Sequence, residues 1–395
     1  MAVRVLNAPP WSRHRLSTPI KQALFAGLLT LTACGTSEAS APTPVPTPVP
    51  TPVPTPVPTP VPSTNVVAVP SSIDASGATD VSAALATFVR SVPDGKTISF
   101  KAGGTYKLSS AIHLTDRHGL TFDGNGATLR IAGCGVEDSA FLLDGTPSTG
   151  IDIREFTVIG DNTAAGTTTS FVAGCESQMG VAIYGARDID ISAMLITSVH
   201  AECVYIDGGG NPRGSGAWAD GITFRDSTCR LNGRMGVALI AASHVTVTRV
   251  AFERIAISVF DIEPYMANGG ATYVSLTDNT ISGYGASSKY TGWVLEGSAF
   301  GMTTTIVHDV TLARNRVTTG ATLSVNTVTT SGLAVKVRTP RWQRINVIDN
   351  VSTVAGTGPA MYFEHIDGLT VSGNSQPLTS GSLVWRSDVT GASIQ

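Results

Sequence analysis

From about Val66 to the C-terminus, apolar residues recur at every second position in short runs rather than at helical spacing. The runs are GLTFDGN from Gly119, IDIREF from Ile151, IDISAM from Ile189, GITFRD from Gly221, VTVTRV from Val245, YVSLTDN from Tyr273, VTLARN from Val310, INVIDN from Ile345 and LTVSGN from Leu369. Each alternates apolar residues with Thr, Ser, Asp or Arg, is too short for a helix, and has Asp, Arg or Asn close by, which reads as strand then turn. Counted from Leu120, their starts fall 23 to 38 residues apart. A motif that returns at a variable interval marks stacked coils joined by loops of unequal length. One helical pattern precedes them, Asp80–Arg90, with Thr79 or Asp80 as cap and Ala84, Leu85, Phe88 and Val89 on one face.

Asn232–Pro264 holds three β-branched runs, Val237–Ile240, Val245–Val250 and Ile257–Ile262, and reads as three strands separated by turns. In the last, Phe260 and Ile262 demand burial, so Asp261 and Glu263 share the opposite, exposed face. A second strand series, CVYIDG, GVALIA, SVFDIEP, GWVLEG, LAVKVR, AMYFEH and LVWRS, extends that face. With its apolar alternates inward, the outward residues are Tyr205 and Asp207, Ala238, Asp261 and Glu263, Glu296, Lys336 and Arg338, Tyr362 and Glu364, and Arg386. At about 4.8 Å per rung they form one polar stripe, acidic at its centre, basic on its flank, with aromatic neighbours. The 41 glycines and 6% aromatics suit narrow coils with tight turns, whereas a propeller would show a steadier period near ~40 residues. The expected fold is all-β: a right-handed parallel β-helix, a solenoid whose N-terminal capping helix covers the first open rung.

The first 65 residues lack this pattern. Arg4, Arg13, Arg15 and Lys21 precede an apolar run, Ala23–Leu31, too short to span a bilayer, and residues 1–33 read as a signal peptide. Leu31-Thr32-Ala33-Cys34 resembles a bacterial lipobox, which implies cleavage before Cys34, a lipid on its sulfur, and anchoring to a membrane at the cell surface. Residues 34–65 include five tandem TPVP units, a polyproline II spacer. At about 3.1 Å per residue, roughly twenty such residues reach ~60 Å. Residues 66–395 are one domain, expected as a monomer. Losing four basic residues and no acids with the signal takes the net charge from −3 to −7, which sets the chain against nucleic acid. Cys134, Cys175, Cys203 and Cys229 form an even set. In an exported protein they make two disulfides, Cys134–Cys175 and Cys203–Cys229 being the shortest of three pairings, or stay as buried thiols.

Asp74–Leu108, DASGATDVSAALATFVRSVPDGKTISFKAGGTYKL, resembles the opening of pectin-lyase-like β-helix proteins, where a capping helix precedes a Gly-Thr-Tyr first coil. The Asn232–Pro264 stretch is similar to a segment of bacterial secreted β-helix proteins. The resemblance stops short of the polygalacturonase catalytic pattern. Ala201-Glu202-Cys203 stands where that pattern has paired Asp, and Arg234-Met235-Gly236 stands where it has Gly-His-Gly. The expected activity is therefore broader: a surface-tethered, polysaccharide-active protein, lyase or hydrolase, on a glycan containing uronic acids. In the lyase form, Ca²⁺ on Asp261, Glu263 and Glu296 neutralises the substrate carboxylate, and Lys336 or Arg338 removes the α-proton. Arg234 is the candidate for pairing a carboxylate. In the hydrolase form, Asp261 and Glu263 lie about 6–7 Å apart along the strand, within reach of a glycosidic bond and a water. Tyr205, Asp207, Tyr362, Glu364 and Arg386 line the stripe as substrate-binding residues. The alternative is a non-catalytic glycan-binding or structural surface solenoid using the same stripe.

The tether is directly testable. Cys34→Ser should leave a longer, unlipidated precursor that washes off membranes in high salt without detergent; retention on the membrane would refute lipid anchoring.

Overall fold

The computed structural model describes residues 65–134, 139–264, 267–297, 304–319, 324–326 and 340–395. Each coil contributes three short strands, and every strand pairs parallel with its counterpart in the next coil. One coil runs Ala219–Arg225, Thr228–Arg230 and Val237–Leu239. The next runs Ala241–Thr248, Ala251–Glu253 and Phe260–Ile262. The recurring sequence motif is the first strand of each coil. Ile151, Ile189, Ile222, Val245, Val274, Val310, Ile345 and Leu369 stand in one register column, side chains inward. The chain is a right-handed parallel β-helix.

The Asp, Arg and Asn residues that trail each motif build its turn. Asp226, Arg249, Asp278, Arg314 and Asp349 all have φ between 50° and 60°, left-handed backbone that only Asn, Asp and Gly adopt readily. The arginines are held there by the acid of the preceding coil: Arg249 Nε and Nη2 donate to Asp226 at 2.6 and 2.9 Å, and Arg314 to Asp278 at 2.8 and 2.7 Å. The next residue points inward and forms an asparagine ladder. The Asn279 N–H and Nδ2 donate to Asn315 Oδ1 at 3.1 and 2.9 Å, while Asn315 Nδ2 donates to Leu276 O at 2.8 Å. Asn315 repeats the arrangement on Asn350, and Asn350 on Asn374. A buried amide that both donates and accepts satisfies the turn's backbone groups without placing charge in the core.

The helix spans Ser82–Ser91 and buries Leu85 and Val89 in the core shared with Ile98, Leu108 and Ile112. Its cap differs from either expected residue: Val81 is the N-cap and makes no side-chain bond, while Asp80 Oδ1 accepts the Ser82 N–H at 3.0 Å. Arg117 closes the other end, donating to Val89 O at 2.9 Å and Val92 O at 2.6 Å, where a cation complements the free carbonyls. The middle strand of each coil, such as Thr228–Arg230, has three residues with one inward side chain and so leaves no alternation to read. Both disulfides form, Cys134–Cys175 and Cys203–Cys229.

Asn315→Ala strips the Asn279 N–H and amide of their acceptor inside the core. It should lower unfolding free energy by about 2–3 kcal/mol, read as a shift in the denaturant midpoint. Asp278→Ala, on the exposed side of the same turn, should cost under about 1 kcal/mol. Equal costs would remove the ladder from its structural role.

Candidate active site

The third strands stack into one sheet whose outer face carries the expected stripe. Its register runs Leu142, Ala182, Tyr205, Ala238, Asp261, Glu296, Asn326, Tyr362, Trp385. Loops leave both edges of this sheet. On the entering edge, Gly166 N–H donates to Asn232 O at 2.9 Å, Ser288 N–H donates to Thr168 O at 3.0 Å, and Phe171 meets Tyr290 edge-on at 5.4 Å. On the leaving edge, Trp218 Nε1 donates to Asn268 O at 2.6 Å, and Arg213 binds Asp144 at 2.8 and 2.5 Å while lying 4.4 Å over the Tyr184 ring. Loops thus wall both edges of the sheet, and the outer column from Leu142 to Asp261 is buried between them.

Arg234 organises the acids on this floor. Its Nη1 lies 3.2 Å from Glu202 Oε1 and 3.3 Å from Glu176 Oε2. Glu202 and Asp261 are buried, 1% and 2% exposed, while Glu263 and Glu296 are half-buried. Ser258 Oγ donates to Glu296 Oε2 at 2.5 Å. The Asp261 and Glu263 side chains lie within hydrogen-bonding reach of each other. Both carboxylate oxygens of Glu202, Asp261 Oδ1, Arg234 Nε and His200 Nδ1 are buried without a hydrogen-bond partner among the described residues. Buried polar atoms left unsatisfied are expensive and mark functional ground.

Four carboxyls face one guanidinium and a fifth, Glu296, stands one rung from Asp261, too many buried charges for all to ionise. Burial, then Glu263 and Glu296, push the Asp261 carboxyl well above its ordinary range, and Arg234 opposes the shift. Burial likewise raises Glu263, with Arg234 and the Asp261 hydrogen bond pulling it back. Burial raises Glu296, opposed by the Ser258 hydroxyl, and raises Glu202, opposed by Arg234. Burial works against the charge on Arg234, yet Glu202, Glu176, Glu263 and Asp261 hold it more firmly protonated than usual.

The structure brings together Arg234, Asp261, Glu263 and Glu296 from the expected set and adds Glu202 and Glu176. Glu176 was missed; its one signal was adjacency to Cys175, whose disulfide fixes the wall loop. Several expectations are corrected. Asp261 points outward but is not exposed, because the loop walls and Arg234 close over it. The two carboxyls of Asp261 and Glu263 touch rather than straddling a bond and a water. Asp207 is fully buried, accepting the Gly208 N–H at 2.6 Å and the Tyr205 hydroxyl at 3.3 Å, so it holds a turn rather than substrate. Tyr205 is 8% exposed and packs with Tyr184, Leu142, Ala182 and Ala238 in an apolar cluster on the outer face, so Ala238 leaves no dip. Arg386 pairs in register with Phe363, on the inward column, and Trp385 takes the place beside Tyr362. Glu364 is half-buried in the strand beyond Tyr362. Arg234 is engaged by two carboxylates of the protein itself. Among the described residues no group of three or more acids, histidines or cysteines is arranged to hold a metal ion, and Glu296 accepts the Ser258 hydroxyl. Lys336, Arg338 and Cys34 lie outside the described residues.

No family model matches the sequence, and no curated protein matches it. Solved structures match at the level of fold. The Streptococcus pneumoniae surface protein and adhesin PfbA aligns at TM-score 0.50 and 11% identity over 81% of this chain and 97% of that one. An alginate lyase from Paenibacillus sp. strain FPU-7 aligns at 0.48 and 12%, over 83% and 100%. The family 28 exopolygalacturonase of Yersinia enterocolitica aligns at 0.45 and 11%, over 83% and 78%. What they share with this chain is the parallel β-helix fold.

The raised carboxyls give stability a definite pH sign. The native state holds protons on these groups that the unfolded chain releases above about pH 4, so stability should fall as pH rises from there. Asp261→Asn should flatten that fall in melting temperature between pH 4 and 8. The exposed Asp226 and half-buried Asp309, lowered to about 2 by hydrogen bonds from Arg249 and Arg344, act in the opposite sense and only below pH 4. An unchanged profile in the Asn variant would mean that Asp261 is ionised like an ordinary surface acid.

Proposed function

We propose that this protein acts on a polysaccharide and hydrolyses a glycosidic bond at the row Glu263, Asp261, Glu296. The observation that carries the reading is a pair of half-buried carboxyls of raised proton affinity beside a buried third, Glu263 two residues along the Asp261 strand and Glu296 on the next rung. The environments assign the roles. Glu296 has only the Ser258 hydroxyl working against its proton and is the general acid, protonating the glycosidic oxygen as the carbon–oxygen bond breaks. Glu263 faces Arg234 and accepts a hydrogen bond from Asp261. It is the carboxylate that takes the proton from the attacking water. Asp261 is a positioning residue, buried beneath both. Hydrolysis is the reading this row supports, because two carboxyls in unlike environments supply both an acid and a base.

A second reading rests on the burial of Asp261 and of the Glu202–Arg234 pair: the cluster binds a glycan, or coheres the rungs, without cutting a bond. The lipobox-like segment and the spacer support exported, lipid-anchored placement at a bacterial cell surface under either reading.

The test is release of reducing ends from a polysaccharide panel, with double-bond absorbance read in parallel. Glu296→Gln and Glu263→Gln should each lower kcat/KM by about 10²–10⁴, the first removing the basic limb of the pH profile and the second the acidic limb. Unsaturated products would establish a lyase instead, and reducing ends undiminished in both variants would eliminate this row as the catalytic centre.

A further inference from the structure

Beyond Glu296 the outer column of the site sheet changes from acidic to aromatic. Asn326 is followed by Tyr362 and Trp385 in register. Trp293, from the wall of the Glu296 coil, meets Tyr362 edge-on with ring centres 5.9 Å apart, and Tyr362 lies tilted against Trp385 at 6.0 Å. Trp385 is 42% exposed. On the other side of the acids the aromatics are closed off: Tyr205 is buried, and the Tyr184 ring is covered by Arg213. Among the described residues the outer column therefore has one exposed aromatic end, at Trp385. Tyr362 stands three rungs from Asp261 and Trp385 four, about 14 and 19 Å at the parallel-strand spacing.

We infer that Trp293, Tyr362 and Trp385 form a sugar-binding platform, and that the glycan it takes is uncharged and runs along the sheet from the platform to the acids. The inference rests on the hydrolytic reading for the direction of the chain, but not for the platform itself. The axial C–H face of a pyranose is apolar and matches the electron-rich face of an aromatic ring, and Tyr and Trp present that face with little rotamer entropy to lose. Charge decides the substrate class. A polyuronate threaded here would bring its carboxylates alongside Glu296, Glu263 and Glu176. Among the described residues, the nearby guanidinium groups are already engaged, Arg234 by Glu176 and Glu202 and Arg213 by Asp144. Near the platform, Glu364 adds a further acid, while Arg386, exposed in the last coil, stands in register with Phe363 rather than with Tyr362. The platform and acids thus suit neutral sugar rings and repel anionic ones.

Binding can be measured apart from turnover by isothermal titration of the full-length Glu296→Gln chain. The probes are neutral oligosaccharides (gluco-, xylo- and manno-oligomers of four to six rings) and two anionic series (oligogalacturonate and oligoalginate). At least one neutral series should bind, with an affinity that changes less than twofold between low and high salt. Trp385→Ala and Tyr362→Ala should each weaken it tenfold or more, while Tyr362→Phe stays within twofold, with melting temperatures unchanged. The inference is overturned if no neutral series binds, if the anionic series bind as well or better, or if the alanine variants bind like the parent. Trp385-dependent binding without any release of reducing ends by the unsubstituted protein would sink the hydrolytic reading and leave the platform standing. Release of reducing ends that ignores Trp385 would do the reverse.

Discussion

Parallel, in-register pairing is the constraint on which everything else in this molecule depends. Each coil lies about 4.8 Å from the next with residues of the same parity superposed, so any side-chain type repeated at one position meets itself. Apolar side chains gain from that, as the inward Ile and Val columns do. Amides gain too, since Asn can donate upward and accept downward. Charges cannot. The turn column solves this by alternation, Asp226 beneath Arg249 and Asp278 beneath Arg314. At Asp261 and Glu296 the rule is broken: two acids stand on adjacent rungs of one column.

That breach explains the electrostatics of the site. Like charges at strand spacing, away from water, raise each other's proton affinity until some carboxyls stay neutral. Arg234 limits the process without ending it, because one nitrogen is divided between Glu202 and Glu176. Both of those acids adjoin a disulfide, Glu176 through Cys175 and Glu202 through Cys203. The covalent links fix the backbone of the two acids that fix Arg234, and Arg234 in turn opposes the rise at Glu263, where at Glu296 only the Ser258 hydroxyl does. Difference in environment along one short row is what separates an acid from a base.

The inward half of this design was legible in the sequence and the outward half was not, for a physical reason. Inward positions must be apolar, so Phe260, Ile262 and the nine-fold motif announce their face and their register. What covers the outer face is decided by loops distant in sequence. Asp261 read as exposed because nothing in FDIEP reports the wall loops or the guanidinium that close over it. Glu176 pairs with an arginine 58 positions away. In LVWRS both parities are apolar, so alternation could not tell that Val384 follows Met361 inward and Trp385 takes the groove. The same ambiguity put Arg386 on the wrong face and hid the aromatic end of the site.

A purely structural role for the cluster fits poorly with its own energetics. A buried ion pair with apolar surroundings can usually be replaced by hydrophobic residues at no loss, and sometimes with gain. The neighbouring outer column does so already, with Leu142, Ala182 and Ala238 packing without a polar atom. On the next two rungs the same column carries Asp261, with one buried carboxylate oxygen unpartnered, and Glu296, both with proton affinity raised by burial. Cohesion of the coils does not require this, since the backbone ladder and the asparagine column provide it on the other face. The acids are instead placed where loop walls make a groove and where open aromatic rings begin within a few rungs. Local destabilisation concentrated at a site with a route for a polymer is what proton transfer to a bound chain demands.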